Sequence, residues 1–213
     1  MPSQKDRLIL ATERLLCSRG MARVTTRDIA QEAKVAEGAL YHHFGDKAEL
    51  LMEVVLHSVG DFREMLEDLS LRVGRDTVQG NLERVAVSAF DFHYRITPMI
   101  CSLFADHELM ARVRDIMNER CIGPGKAAAI LAEYLRAEQR LGRIAASARV
   151  EASAELLLAA SWNRASFAHF YALSGSTAKG HRGVRESVRA VIAGLAPAQA
   201  GRSRPRAPGN KRR

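Results

Sequence analysis

The sequence predicts an all-α protein, and three observations lead there. Aromatic residues make up only 6% of the 213 residues while hydrophobic residues make up 47%, and frequent alanine and leucine favour helices over sheets. Apolar residues recur three and four positions apart along most of the chain. Glycine and proline fall between these periodic stretches, with no hairpin signal and no fixed-period repeat.

The first helix is expected from Gln4 to Arg19, with Leu8, Thr12, Leu15 and Leu16 at helical spacing and Gly20 as its stop. A short second helix begins near Thr26, where Thr25 or Thr26 can accept a backbone N–H as a cap. Ile29, Ala30 and Ala33 are its inward residues. A tight turn at Lys34-Val35 leads to a third helix, Glu37 to Phe44. Gly45-Asp46 breaks the chain again, and Asp46 caps a long helix expected from Lys47 to about Leu71. Leu51, Val55, Phe62, Met65, Leu66 and Leu69 lie along one side of it.

Further on, Leu82, Val85, Ala89, Phe90 and His93 share a face. Thr97-Pro98 reads as a cap followed by proline at a first helical position. Asp106, His107 and Glu108 read as another capped start, and Gly123-Pro124-Gly125 interrupts the next helical region. Val150 to Leu173 is a long, nearly uncharged helix, and Val184, Val188, Val191 and Leu195 mark the last one.

The net charge of +8 is unevenly placed. Residues 197–213, PAQAGRSRPRAPGNKRR, hold six basic residues and no acid, whereas residues 1–50 and 51–196 each sum to +1. A Pro/Gly/Arg stretch with so few apolar side chains cannot bury surface and is expected to be a disordered basic tail. Such a tail either solubilises or adds non-specific attraction to polyanions.

Three cysteines, Cys17, Cys101 and Cys121, supply neither a disulfide framework nor metal-ligand spacing, as expected of a cytoplasmic protein. The N-terminus has no long uncharged apolar run, so no signal peptide is expected. Between Leu156 and Ala178 the only formal charge is Arg164, but Asn163 and His169 also interrupt the stretch, which reads as a buried helix rather than a membrane span. Nucleophile elbows, Gly-rich phosphate loops and metal motifs are lacking, so neither an enzyme nor a cofactor is expected. His42 and His43 cannot chelate one ion together, because adjacent helical side chains diverge by about 100°.

Two short helices joined by a tight turn and packed on a third make a helix-turn-helix, whose second helix enters the DNA major groove. Gly38 and Ala39 on that helix permit close approach to base edges. Tyr41 and His42 carry polar tips, while Leu40 and Phe44 face inward. Lys47 opens the next helix, where its charge adds to the backbone N–H groups as a phosphate grip.

From Gly20 to Leu50 the chain reads G-x4-T-T-R-D-I-A-x-x-A-x-V-x-x-G-x-L-Y-x-H-F-x-x-K-x-x-L. That pattern closely resembles the N-terminal signature of the TetR family of bacterial one-component transcriptional regulators. The resemblance implies a homodimer of about nine helices per chain, with a DNA-binding domain over residues 1–46 and an effector-binding and dimerisation domain over residues 47–196. By alignment to the motif, Arg27, Glu37, Gly38 and Ala39 would read bases in a near-palindromic operator, while Thr26, Tyr41, His42 and Lys47 would hold phosphates. His43 would either face phosphate or brace the motif.

Two positions depart from the family pattern. Lys34 replaces the usual turn glycine, at roughly 1–2 kcal/mol if the turn needs positive φ, although its charge can add a phosphate contact. Ala36 replaces the usual capping serine or threonine, at about 1 kcal/mol.

The expected function is sequence-specific repression, relieved by a small apolar or aromatic effector. The effector pocket is expected among Phe62, Phe90, His93, Tyr94, Met99, Phe104, Trp162 and Phe167, partly from family position. These residues also combine large apolar faces with a few polar handles. A histidine such as His93, on one face with Phe90, is more often a hydrogen-bonded core residue than a ligand contact. The dimer is expected through the last two helices, with Ser161, Ala165, Ala168 and Ala172 as a close-packing stripe. The competing classes are a sequence-indifferent DNA-binding protein that uses the basic tail and a helical enzyme.

Overall fold

Ten helices form the described part of the chain in the computed structural model, which covers residues 2–20, 23–171 and 176–195. In chain order they are α1 (Gln4–Arg19), α2 (Thr26–Ala33), α3 (Glu37–Phe44), α4 (Lys47–Ser58) and α5 (Gly60–Leu71). There follow α6 (Val78–Leu103), α7 (His107–Glu119), α8 (Pro124–Arg140), α9 (Val150–Phe170) and α10 (Ser176–Leu195). The tail at 197–213 and Ala172 lie outside the described residues.

Local chemistry accounts for most helix starts. Ser3 with Asp6 and Thr25 with Asp28 form reciprocal capping boxes at α1 and α2. The side chains of Asp46, Thr77 and Asp106 cap α4, α6 and α7, and Pro124 opens α8. Helices α1 to α3 pack on one another as a small head. In the body, α6 is the central helix, flanked by α5, α9 and α10. Phe90 is fully buried at its middle, and Gly180 brings α10 so close that a Cβ there would stand 2.1 Å from the Phe90 ring.

Three expectations change. The helix expected from Lys47 to Leu71 is interrupted at Val59, where φ is −82° and ψ is −9°. A β-branched residue followed by glycine is a weak point in a helix, and Arg95 of α6 donates to the Ser58 carbonyl at 2.7 Å.

Thr97-Pro98 does not start a helix, because Pro98 lies inside α6. Proline has no N–H to return to the Tyr94 carbonyl four residues earlier. His169 of α9 donates to that carbonyl at 2.7 Å, while its ring stacks on Tyr94 with centroids 4.3 Å apart.

The stripe of Ser161, Ala165 and Ala168 is buried within the subunit, as are Val184, Val188 and Leu195. These small residues seat α9 against its own α6, where Ser161 donates to the Ala86 carbonyl at 3.3 Å. The apolar face left uncovered is a different one: Leu156, Phe167, Phe170 and Tyr171 are all exposed.

Candidate nucleic-acid interface

The head is built on an apolar centre in which Leu8 of α1, Ile29 of α2, Leu40 and Phe44 of α3 and Leu50 of α4 are buried. Burial of Leu40 and Phe44, four residues apart, fixes which side of α3 faces outward. Glu37, Gly38, Tyr41 and His42 are exposed on that helix, and Ala39 is half-buried. A Cβ at Gly38 would meet nothing within 4 Å, so the helix backbone is open to close approach there.

Several predicted contacts are organised by one another. Thr26 on α2 donates from its hydroxyl to Glu37 Oε1 at 2.9 Å, and the Tyr41 hydroxyl donates to Thr26 Oγ1 at 3.5 Å. This chain ties the start of α2 to both turns of α3. Arg27 is exposed beside Thr26. Lys47 extends its ammonium to the Val24 carbonyl at 3.4 Å, which holds it at the junction of α2 and α4.

His42 and His43 meet edge to face with centroids 5.3 Å apart, and His43 Nε2 is buried without a hydrogen-bond partner among the described residues. His43 therefore turns toward the head's interior, next to Phe44.

The α2–α3 turn bears out the cost expected at Lys34. Its φ of 56° and ψ of 48° place it in the left-handed region. The turn closes through the Val35 N–H, which donates to the Ala30 carbonyl at 3.0 Å. Ala36 stands at the N-cap of α3 with no side-chain hydrogen bond, leaving the recognition helix without the cap that α1, α2 and α4 possess.

The eight residues expected in an effector pocket fall into separate places. Phe62, His93 and Trp162 come together with Phe92: His93 lies 5.6 Å from the Trp162 ring, 6.5 Å from Phe62 and 5.3 Å from Phe92. Burial lowers the His93 pKa to about 4, so its ring is neutral, and its Nδ1 lacks a partner among the described residues. Phe90 and Tyr94 stack on each other in a second cluster toward α10. Met99 is buried elsewhere along α6, beside a void of about 10 Å³ that also touches Glu13, Ser58 and Arg95. Phe104 and Phe167 are exposed. An open groove of about 370 Å³ lies instead between Met65, Arg84, Val87 and Arg185. Among the described residues no group of three or more His, Cys, Asp or Glu side chains could hold a metal.

A head with this motif and geometry is matched by a family model. "Bacterial regulatory proteins, tetR family" aligns with residues 8–54, the span from α1 through most of α4. Similarity extends into the body. The chain is 30% identical over 164 residues to the nucleoid occlusion factor SlmA of Aliivibrio fischeri, covering 68% of this chain and 82% of that protein. The chain belongs to the TetR family.

It is also 27% identical over 172 residues to the transcriptional repressor BepR of Brucella suis, covering 73% of this chain and 75% of that protein. A TetR-family regulator from Mesorhizobium loti shares the fold with a TM-score of 0.70 at 21% identity, over 91% of this chain and 96% of that one. This TetR-family chain is accordingly a DNA-binding transcriptional regulator and not an enzyme. No helix among the described residues is long and apolar enough to cross a membrane.

Arg112, Arg120 and Lys5 were not singled out by sequence reasoning, yet all three are engaged with α4 or the end of α3. Their partners lie mostly far away in sequence, and no local pattern marks them.

Proposed function

We propose that this TetR-family regulator is a cytoplasmic homodimeric repressor. One α3 from each subunit reads half of a near-palindromic operator, and a small, mainly apolar or aromatic effector releases it. Residues 1–46 act as the reading head and 47–196 as the effector-binding and dimerisation body. Thr26, Arg27, Lys34, Glu37, Gly38, Ala39, Tyr41, His42 and Lys47 are the contacts proposed for DNA, with Thr26 also bonded to Glu37 and His43 bracing the reading surface or facing phosphate.

The observation that carries the dimer is the apolar strip on α9. Leu156, Phe167 and Phe170 are 61%, 52% and 79% exposed, at spacings that place them with Asn163 along one side of the helix. Several large apolar side chains exposed along one side of a helix, here with Asn163 between them, mark an interaction surface. Two heads then fall on one side of DNA, where half-sites recur about every 34–36 Å. The relative named a repressor supports the sign of regulation.

For the effector, the cluster of Phe62, Phe92, His93 and Trp162 offers aromatic walls and a neutral imidazole whose Nδ1 is unengaged. A multiply charged ligand would need several cations there. The arginines close to it in sequence point to other groups: Arg95 donates to the Ser58 carbonyl and lies 3.8 Å from Asp61, and the Arg164 guanidinium packs against Gly183.

The test joins in vitro selection of an operator from random duplexes with sedimentation at micromolar concentration. The wild type is expected to select a near-palindrome and to sediment as a dimer. Phe167→Glu/Phe170→Glu is expected to be monomeric and to bind the selected duplex poorly. A monomeric wild type, or selection of no preferred sequence, contradicts the reading.

A further inference from the structure

Helix α4 joins the head to the body, and its acidic side is held by basic residues from α7 and α1. Asp46 Oδ1 accepts the Glu49 N–H at 2.8 Å and so caps α4, while Oδ2 accepts from Arg112 Nε at 3.1 Å. Arg112 Nη2 also lies 3.7 Å from Glu49 Oε1. About two turns further on, at the C-cap of α7, Arg120 donates to Glu49 and, at 2.8 Å, to Glu53. Glu53 in turn lies 2.7 Å from Lys5 Nζ on α1, and Lys5 stands 5.8 Å over the ring of Phe44, the last residue of α3. At the opposite end of α4, Arg95 grips the Ser58 carbonyl. Three arginines of the body thus hold α4 at its cap, its middle and its C-terminal end.

Magnitudes decide what such a ladder does. Arg112 and Arg120 side chains are 45% and 36% exposed and their acidic partners are also partly open to water. Ion pairs at such exposure are screened by water and contribute little net stability, too little to govern folding. Apolar burial, which does govern folding, is non-directional. Charge-assisted hydrogen bonds from a planar guanidinium are directional, and geometry is what they fix. The geometry at stake is the orientation of α3, which follows α4 through the Gly45-Asp46 junction.

We propose that Arg112 and Arg120 are positioning residues for operator binding. They set the tilt of α4 against α7, and with it the presentation of α3, without contacting DNA. Both Asp46 and Glu53 are ionised at neutral pH. Burial works to raise each carboxyl, but hydrogen bonds from the Glu49 N–H and Arg112 to Asp46, and from Lys5 and Arg120 to Glu53, hold both below the ordinary range.

The inference rests on the two-headed operator complex proposed above, and wild-type binding to the selected duplex checks that reading separately. On that duplex, Arg112→Ala/Arg120→Ala is expected to lose about ten-fold in affinity, equivalent to about 1.4 kcal/mol. Its thermal midpoint should fall by no more than about 4 °C, and Arg112→Lys/Arg120→Lys should recover part of the loss. The slope of log affinity against log salt should equal that of the wild type, because a direct phosphate contact would remove about 0.9 from the slope. In a Glu49→Gln/Glu53→Gln background, Arg120→Ala should cost little more, since its partners are already neutral. Wild-type affinity in the double alanine variant overturns the proposal. So does a reduced salt slope, which would make the arginines DNA contacts, or a large drop in thermal midpoint, which would make them structural.

Discussion

His169 donates from Nε2 to the carbonyl of Tyr94 at 2.7 Å, the acceptor that Pro98 cannot serve from within α6. The stacked rings of the same two residues add a second contact between α6 and α9. A proline in mid-helix thus becomes an attachment point for the neighbouring helix. His169→Ala is expected to destabilise the fold by about 1–2 kcal/mol in denaturant unfolding, the sum of a hydrogen bond and a ring contact. In a Pro98→Ala background the restored N–H shares the carbonyl, so the same change should cost less. Equal costs in the two backgrounds would separate His169 from the proline.

His93 makes stability depend on pH in an unusual direction for histidine. Its folded pKa is lowered by burial from 6.5 to about 4. Between those values the unfolded chain binds the extra proton, so stability rises with pH across the window and is lost progressively as pH falls from 6.5 toward 4. The full effect is on the order of 3 kcal/mol, at about 1.36 kcal/mol per pKa unit. His93→Phe should flatten the change in unfolding free energy between about pH 6.5 and pH 5, where ordinary carboxylates scarcely titrate. An unaltered slope in the variant would show that His93 charges freely in the folded state.

Lys34 carries a strained backbone in the turn that leads into α3. Its left-handed backbone costs about 1–2 kcal/mol, and glycine relieves this strain while losing about 0.5–1 kcal/mol to chain entropy. Lys34→Gly should therefore stabilise the protein by roughly 0.5–1 kcal/mol. If the ammonium also holds a phosphate, the variant binds operator more weakly, and its salt slope falls by about 0.9. A variant that is more stable and binds DNA unchanged would limit Lys34 to its turn.

The legible part of this protein is the local part. Thr25 and Asp46 announce helix starts because a cap and its N–H lie three residues apart. The head is similarly legible, since Leu40 and Phe44 fix the outward face of α3 from within eight residues. What could not be read depends on distant partners. Pro98 looks like a helix start until His169 is placed beside Tyr94. The small residues of α9 suggest a partner helix, but α6 of the same chain fills that role. Arg112 and Arg120 carry no local signature because their acidic partners lie on α4, far back along the chain. The expected effector residues scatter for a similar reason: Phe104 and Phe167 are apolar enough for a pocket, yet helix packing leaves both outside.

The central claim is that the outward face of α3 and the start of α4 read DNA, and operator titration of Tyr41→Ala and Lys47→Ala tests it most directly. Tyr41 is 52% exposed and Lys47 is anchored at the mouth of the same surface, so neither substitution should disturb the core. Hydrogen bonds to a charged phosphate are worth about 1.5–3 kcal/mol, so each variant should bind the selected duplex about ten-fold or more weakly than the wild type. Their thermal midpoints should match it. If both variants remain folded and bind as tightly as the wild type, this face of the head is not the DNA-reading surface.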